Sequence, residues 1–201
     1  MRSASSWAAA SASDVMGRVP VTLLCAGLLG CASAALPSGA LDVVDLEGRH
    51  RALFVGRDQV TVLLFVAVDC PIANSYAPEI AALVRDHAAL PVEFLLVHVD
   101  PAIEVEALRE HARRFALPGP LVLDRDHALV RRAGATVTPE AVVLDRAGRI
   151  AYRGRIDDSW SDLGRRRTVV RQQDLRDALA AVVSGRAVPR PWPEALGCSL
   201  P

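Results

Sequence analysis

The chain has 201 residues, of which 51% are hydrophobic and 23% are charged, and this suits one globular domain with appended segments. Its 23 basic and 23 acidic residues balance, which argues against nucleic acid as a partner. The chain contains no lysine, so Schiff-base and phosphate-loop lysine chemistry are excluded.

Residues 1–34 are predicted to be a signal peptide. Residues 21–30 form an apolar run whose length is typical of a signal-peptide core and is too short for a membrane span. Ala32-Ser33-Ala34 is a cleavage pattern. Alternatively, Leu28-Leu29-Gly30-Cys31 resembles a bacterial lipobox, in which Cys31 would carry a lipid and attach the protein to a membrane. Both alternatives predict an exported protein of the periplasm or cell envelope.

Export and removal of the signal peptide determine which cysteines remain available for redox chemistry or disulfide formation. Cys25 and Cys31 lie in the N-terminal segment, so Cys70 and Cys198 are the two that remain in the mature domain. Disulfides persist in an oxidising compartment, and two thiols allow a single pairing. Three options stay open, in which Cys198 resolves redox chemistry at Cys70, forms a permanent disulfide with it, or is an unrelated thiol.

The rest of the chain predicts a linker at residues 35–40, a domain at 41–185 and a Pro-rich tail at 186–201 that lies irregularly on the surface. Strands are predicted at residues 41–46, 50–55, 62–68, 92–99, 121–124, 141–145 and 150–154. Helices are predicted at residues 71–89, 103–115, 127–133 and 174–183, and a loop at 156–170. The first two strands form an N-terminal β-hairpin. Strands and helices alternate in the first part of the domain, and an antiparallel hairpin follows. This order predicts an α/β fold, with a mixed central sheet and helices on both faces.

Cys70 is the main candidate for a reactive residue. The buried strand ends just before it, and Pro71 suits the first turn of a helix, so Cys70 is expected at a helix N-terminus. Unpaired amides and the helix dipole favour an anion there, which predicts a lowered thiol pKa and a nucleophilic thiolate. Asp69 would raise this pKa if it points inward. Pro78 is expected to kink the helix.

Three motifs carry a resemblance to a known family. They are Val68-Asp69-Cys70-Pro71 with Asn74, Tyr76 and Pro78 in the following helix, Thr138-Pro139 before a strand, and the hairpin at residues 142–154. With them, residues 41–179 resemble the redoxin branch of the thioredoxin-like superfamily, which includes thiol-specific antioxidant proteins. The resemblance implies a thioredoxin-like fold, a cis-proline packed against the active cysteine, and no organic cofactor. The candidate catalytic residues are Cys70, Cys198, Thr138 and Pro139, and the candidate substrate contacts are Pro71, Asn74 and Tyr76.

Departures from the family pattern limit the mechanism. Ala73 removes a C-x-x-C pair, and Asn74 removes the C-x-x-x-C copper motif of cytochrome-oxidase assembly relatives. Ala67 stands where peroxiredoxins carry Thr or Ser. The favoured function is therefore thiol–disulfide exchange with a protein substrate, with Cys70 as nucleophile and Cys198 as the second sulfur. The alternatives are a peroxidase acting on a small peroxide, and a non-catalytic binding module or metallochaperone.

The remaining polar residues have structural interpretations. His98 is expected in the core, and His87 and His111 on solvated helix faces. The five histidines show no pair at ligand spacing, so no metal site is expected, although copper held by Cys70, Cys198 and a histidine is an alternative. Glu79 and the Arg165–Arg167 run are expected to be solvated charges.

Overall fold

The structure, a computed structural model, describes residues 39–200. The predicted signal peptide, the lipobox ending at Cys31 and residues 35–38 of the predicted linker lie outside the described residues. Among the helices that the structure describes, none is long and apolar enough to cross a membrane.

The described part of the chain contains eleven strands and five helices. The strands are β1 (Leu41–Val44), β2 (His50–Leu53), β3 (Val60–Val66), β4 (Val92–His98), β5 (Leu121–Leu123), β6 (Val137–Thr138), β7 (Glu140–Leu144), β8 (Ile150–Gly154), β9 (Trp160–Asp162), β10 (Arg165–Arg166) and β11 (Cys198–Ser199). The helices are α1 (Pro71–Ser75), α2 (Ala77–Asp86), α3 (Val105–Phe115), α4 (Ala128–Ala133) and α5 (Asp174–Val183).

Five strands form a mixed sheet in the order β5-β4-β3-β7-β8. β3, β4 and β5 are parallel, whereas β7 runs antiparallel to β3 and β8 antiparallel to β7. All seven residues of β3 are buried, because a central strand covered on both faces requires a continuous apolar run. This architecture confirms the predicted α/β thioredoxin-like fold, and it ends β3 four residues before Cys70.

The predicted N-terminal hairpin is confirmed as a separate two-stranded sheet of β1 and β2. It attaches to the outer strand β5 through an antiparallel bridge between Asp45 and Val122. The Leu46 N–H also donates to the Leu121 carbonyl at 2.9 Å. The hairpin therefore covers an edge of the central sheet that would otherwise be open to other chains.

The prediction of a single kinked helix after Cys70 is wrong, because the helical segment is divided in two. The chain forms two helices, α1 and α2, which meet at Tyr76 instead of bending at Pro78. Pro78 has no N–H to donate and its ring excludes the carbonyl of Asn74. A new helix starts at Ala77, where a proline in the first turn is tolerated.

Two further segments are more ordered than the sequence predicts. Residues 156–170, predicted as a loop, contain the short hairpin of β9 and β10, and residues 156–159 that precede it are buried. The tail was expected to lie irregularly on the surface, but its end forms β11 and pairs antiparallel with β6. Backbone pairing is possible despite the prolines of the tail, because none of them is one of the two paired residues.

His98 lies in the core as predicted, but the prediction that His111 is solvated is wrong. His98 is fully buried on β4, and His111 is 7% exposed on α3. Their rings meet edge to face with centroids 5.5 Å apart. Neither ring nitrogen of His98 has a hydrogen-bond partner among the described residues. Burial first, and then the neighbouring His111, lower the pKa of His98 to about 3.

This buried histidine predicts a loss of stability in acid. The folded protein keeps His98 neutral, whereas the unfolded chain takes up a proton near pH 6.5, so the stability contributed by His98 falls as the pH decreases from about 6.5 towards about 3. We expect His98 to lower the free energy of unfolding by about 2 kcal/mol between about pH 7 and pH 5, as measured by urea denaturation. In His98→Leu this part of the pH dependence should disappear. An unchanged slope in that variant would contradict the assignment.

Candidate active site

Cys70 and Cys198 form a disulfide in the structure. Their Cα atoms are 6.0 Å apart, and the bond joins positions separated by 128 residues. Cys70 is the residue that caps the start of α1, and Cys198 is the first residue of β11. The bond therefore ties the end of the chain to the motif that follows the central strand, and it removes the option of two unrelated thiols.

One amide group favours negative charge on the Cys70 sulfur, whereas burial and a carbonyl oxygen oppose it. The Ala73 N–H donates to Cys70 Sγ at 3.4 Å. Because α1 has only five residues, its helix dipole is small. The hydrogen bond from the Ala73 N–H therefore supplies most of the stabilisation of negative charge on the sulfur. Cys70 is 1% exposed, and its Sγ lies 3.0 Å from the Thr138 carbonyl oxygen. Asp69 is exposed and so does not place its charge in this pocket.

The loop that holds Cys198 in place contains a cis peptide bond between Thr138 and Pro139. β11 runs antiparallel to β6, with Cys198 opposite Thr138 and Ser199 opposite Val137. Cys70 therefore contacts the same short strand that pairs with the tail. The Thr138 hydroxyl is buried and has no hydrogen-bond partner among residues 39–200.

Gly197 fits this arrangement because it has no side chain. A Cβ atom added there would overlap the Thr138 carbonyl and crowd Pro139 N. The tail therefore needs a glycine directly before Cys198, because its backbone passes so close to the backbone of Thr138 and Pro139.

Asn74, a candidate substrate contact, is held by internal hydrogen bonds at both ends of its amide. Its Nδ2 donates to the Val68 carbonyl at 2.9 Å, and its Oδ1 lies 2.7 Å from His111 Nε2, which is the donor in this pairing. The amide links α1 to α3 and to the turn before Cys70. A role in substrate binding would require breaking these bonds, so the visible role of Asn74 is to hold the turn in place.

Tyr76, the other polar candidate, is also engaged internally. Its hydroxyl donates to Asp157 Oδ1 at 2.7 Å, and it is 5% exposed. Burial, followed by the hydrogen bond to Asp157, raises the pKa of Tyr76 well above its ordinary value, so it stays protonated. Nearby, Trp160 Nε1 donates to Ser75 Oγ at 3.2 Å. These two contacts join α1 to residues 157–160.

A cavity of about 180 Å³ lies against the cis-proline, and neither cysteine is among its lining residues. Tyr76, Pro139, Trp160, Arg167 and Leu196 are among the residues that line it. It combines an aromatic wall with charged groups, next to the cis-proline and two residues from Cys198. A side chain that flanks a substrate thiol would fit here.

Other sequence candidates fall outside the contacts of the disulfide. Pro71 is exposed next to Cys70, and Glu79 pairs with Arg176 at 2.8 Å instead of standing free in solvent. Within residues 39–200, no histidine or carboxylate joins the two cysteines in a cluster of three metal-binding side chains. The supporting residues His111, Asp157 and Trp160 were missed, because their partners are far away in sequence and only the fold brings them together.

These features define a thioredoxin-like protein whose disulfide joins a helix-start cysteine to a strand beside a cis-proline. Residues 34–153, more than half of the chain, match the AhpC/TSA family. The chain therefore belongs to the AhpC/TSA family, in the redoxin branch of the thioredoxin-like superfamily, and its class is thiol oxidoreductase.

A curated relative and two solved structures agree with this assignment. The relative is the thiol-disulfide oxidoreductase ResA of Geobacillus thermodenitrificans, 31% identical over 59% of this chain and 68% of its own length. An uncharacterized conserved protein from Geobacillus kaustophilus is 25% identical with a TM-score of 0.69, covering 83% of this chain and 93% of that one. A hypothetical protein from Sinorhizobium meliloti 1021, 22% identical with a TM-score of 0.68, shares the fold over 80% of this chain and 90% of its own.

The tight contact at Gly197 generates a test of the tail's position. Gly197→Ala should push β11 away from β6, and losing one or two backbone hydrogen bonds of about 1 kcal/mol each corresponds to roughly tenfold faster reduction of the disulfide. The rate is measured with dithiothreitol, followed by alkylation and mass spectrometry. Gly56→Ala is the matched control, because a Cβ there would meet no atom closer than 3.8 Å. Equal rates in the two variants would show that β11 does not hold Cys198.

Proposed function

We propose that this protein is an exported thiol–disulfide oxidoreductase in which Cys70 and Cys198 form the redox couple. Its substrates are proteins that carry thiols or disulfides. The couple replaces the C-x-x-C pair that Ala73 removes, because the second sulfur comes from the C-terminal tail. The name of the ResA relative supports disulfide exchange as the reaction type.

The observation that carries the proposal is the place where the disulfide lies. Cys198 belongs to a two-residue strand near the end of the chain, and a segment with so little backbone pairing can open without unfolding the domain. The other sulfur lies against an amide that favours a thiolate. A short strand that can detach and a stabilised thiolate are both features of a disulfide that opens and closes.

The proposed cycle transfers two electrons. A substrate dithiol delivers one thiolate to the Cys70–Cys198 bond, and a mixed disulfide forms while the other cysteine departs as a thiolate. The second substrate thiolate then displaces the protein sulfur, which leaves a substrate disulfide and a reduced protein. Running in reverse, the reduced protein opens a substrate disulfide. Thr138 and Pro139 shape the surface on which the substrate sulfur is positioned.

Single cysteine variants test whether both sulfurs are needed. We expect Cys70→Ser and Cys198→Ser each to lower the reduction of insulin disulfides by at least about 100-fold, because a hydroxyl cannot form a disulfide. Ser184→Ala, exposed at the end of α5, is the control and should keep full activity. Activity retained by both cysteine variants would reject the proposal. Consumption of hydrogen peroxide that outpaces insulin reduction would favour the peroxidase alternative.

Export is the second part of the proposal, and it rests on residues 1–34. Deleting these residues should keep the protein in the cytoplasm, as measured by fractionation of expressing bacteria. If Cys31 is lipidated, the mature protein carries a lipid mass that Cys31→Ala abolishes, while cleavage after Ala34 leaves a protein that begins at Ala35. A cytoplasmic full-length protein that retains Met1 would contradict export.

A further inference from the structure

The two sulfurs of the disulfide differ in how easily a thiolate can reach them. Cys70 is 1% exposed, beneath the tail and against Thr138, whereas Cys198 is partly exposed. In the sheet that residues 39–200 form here, β11 pairs with β6 alone. Cys198 is the more exposed of the two cysteines, so it is the sulfur that we expect a thiolate to reach.

The two sulfurs also differ as leaving groups. A thiolate that departs at Cys70 keeps the hydrogen bond from the Ala73 N–H, which becomes charge-assisted, and this offsets the opposing Thr138 carbonyl oxygen 3.0 Å from the sulfur. Within residues 39–200, no hydrogen-bond donor reaches Cys198 Sγ. Exchange is faster when the departing sulfur is the better-stabilised thiolate. Access and leaving-group stability therefore favour the same direction of attack.

The tail is attached to the domain ahead of its last residues. The Trp192 ring packs against the Tyr152 ring with centroids 6.0 Å apart, and the Arg155 N–H donates to the Pro193 carbonyl at 3.3 Å. Beyond this anchor, residues 194–200, here called the C-terminal arm, have β11 as their only strand. Once the disulfide opens, the C-terminal arm keeps its two paired residues and the packing of Leu200 against the core, while Cys70 stays fixed at the start of α1.

We propose that Cys198, and not Cys70, is the sulfur that a substrate thiolate attacks, so that the mixed disulfide forms on the C-terminal arm; this inference rests on the proposed function. The substrate thiolate bonds to Cys198 Sγ, the Cys70–Cys198 bond breaks, and its electron pair leaves on Cys70. A second substrate thiolate then bonds to the first substrate sulfur and releases Cys198 as a thiolate. In the reducing direction, Cys198 attacks the substrate and Cys70 resolves the mixed disulfide, which reverses the roles that the sequence suggests.

The position of a trapped adduct tests this order of attack. The oxidised full-length protein is treated briefly with glutathione and quenched with excess N-ethylmaleimide, which alkylates the released thiolate. Trypsin cleaves at arginines between the two cysteines, so mass spectrometry assigns each label to one of them. We expect at least about tenfold more glutathione on Cys198 than on Cys70, with maleimide on Cys70.

The same reaction in guanidinium is the control, because unfolding removes the differences in access and in hydrogen bonding. There the two adducts should agree within about twofold. Equal adducts, or an excess on Cys70, in the folded protein would overturn the inference. Failure of the proposed function is separate, since the insulin assay of the cysteine variants decides it, whereas the adduct position reports only which sulfur is attacked.

Discussion

The pairing of the C-terminal arm with β6 is the constraint on which the site depends. It brings a cysteine from the end of the chain to the start of α1, across 128 residues of sequence. Backbone hydrogen bonds fix the register, so Cys198 lies opposite Thr138 and next to the cis-proline. Gly197 makes the approach close enough for the two sulfurs to bond. Without this strand, Cys70 would be a buried thiol with no partner cysteine among residues 39–200.

The body of the domain supplies the fixed half of the site. The buried strand β3 ends shortly before Cys70, and the Ala73 N–H donates a hydrogen bond to the Cys70 sulfur. Asn74 is bonded to His111 and Trp160 to Ser75, so α1 is tied to α3 and to the β9 strand. We propose that this fixed frame gives Cys70 a constant environment, while the short strand β11 allows Cys198 to move when the disulfide opens. The chemistry of exchange needs both properties, because one sulfur must leave as a thiolate while the other carries the substrate.

Much of the fold could be predicted from the sequence, because local patterns encode it. The buried apolar run, the proline after Cys70 and the hairpin turn at residues 145–149 each specify their own structure without distant partners. Two of the three options that the cysteine count left open pair Cys70 with Cys198, but the sequence did not decide between them and an unrelated thiol. The contacts of His111 and Asp157 could not be foreseen, since each depends on a partner from another part of the chain. The break at Tyr76 was missed because the effect of Pro78 was assigned to its own position and not to the preceding turn.

A redox titration of the Cys70–Cys198 disulfide tests the central claim most directly. The full-length protein is equilibrated in glutathione buffers of graded potential, and the oxidised fraction is read by alkylation and mass spectrometry. Our account predicts a reversible two-electron transition at a potential above about −300 mV, the limit below which structural disulfides resist the glutathione pool. A disulfide that stays fully oxidised in every buffer would identify it as a permanent cross-link and contradict the account.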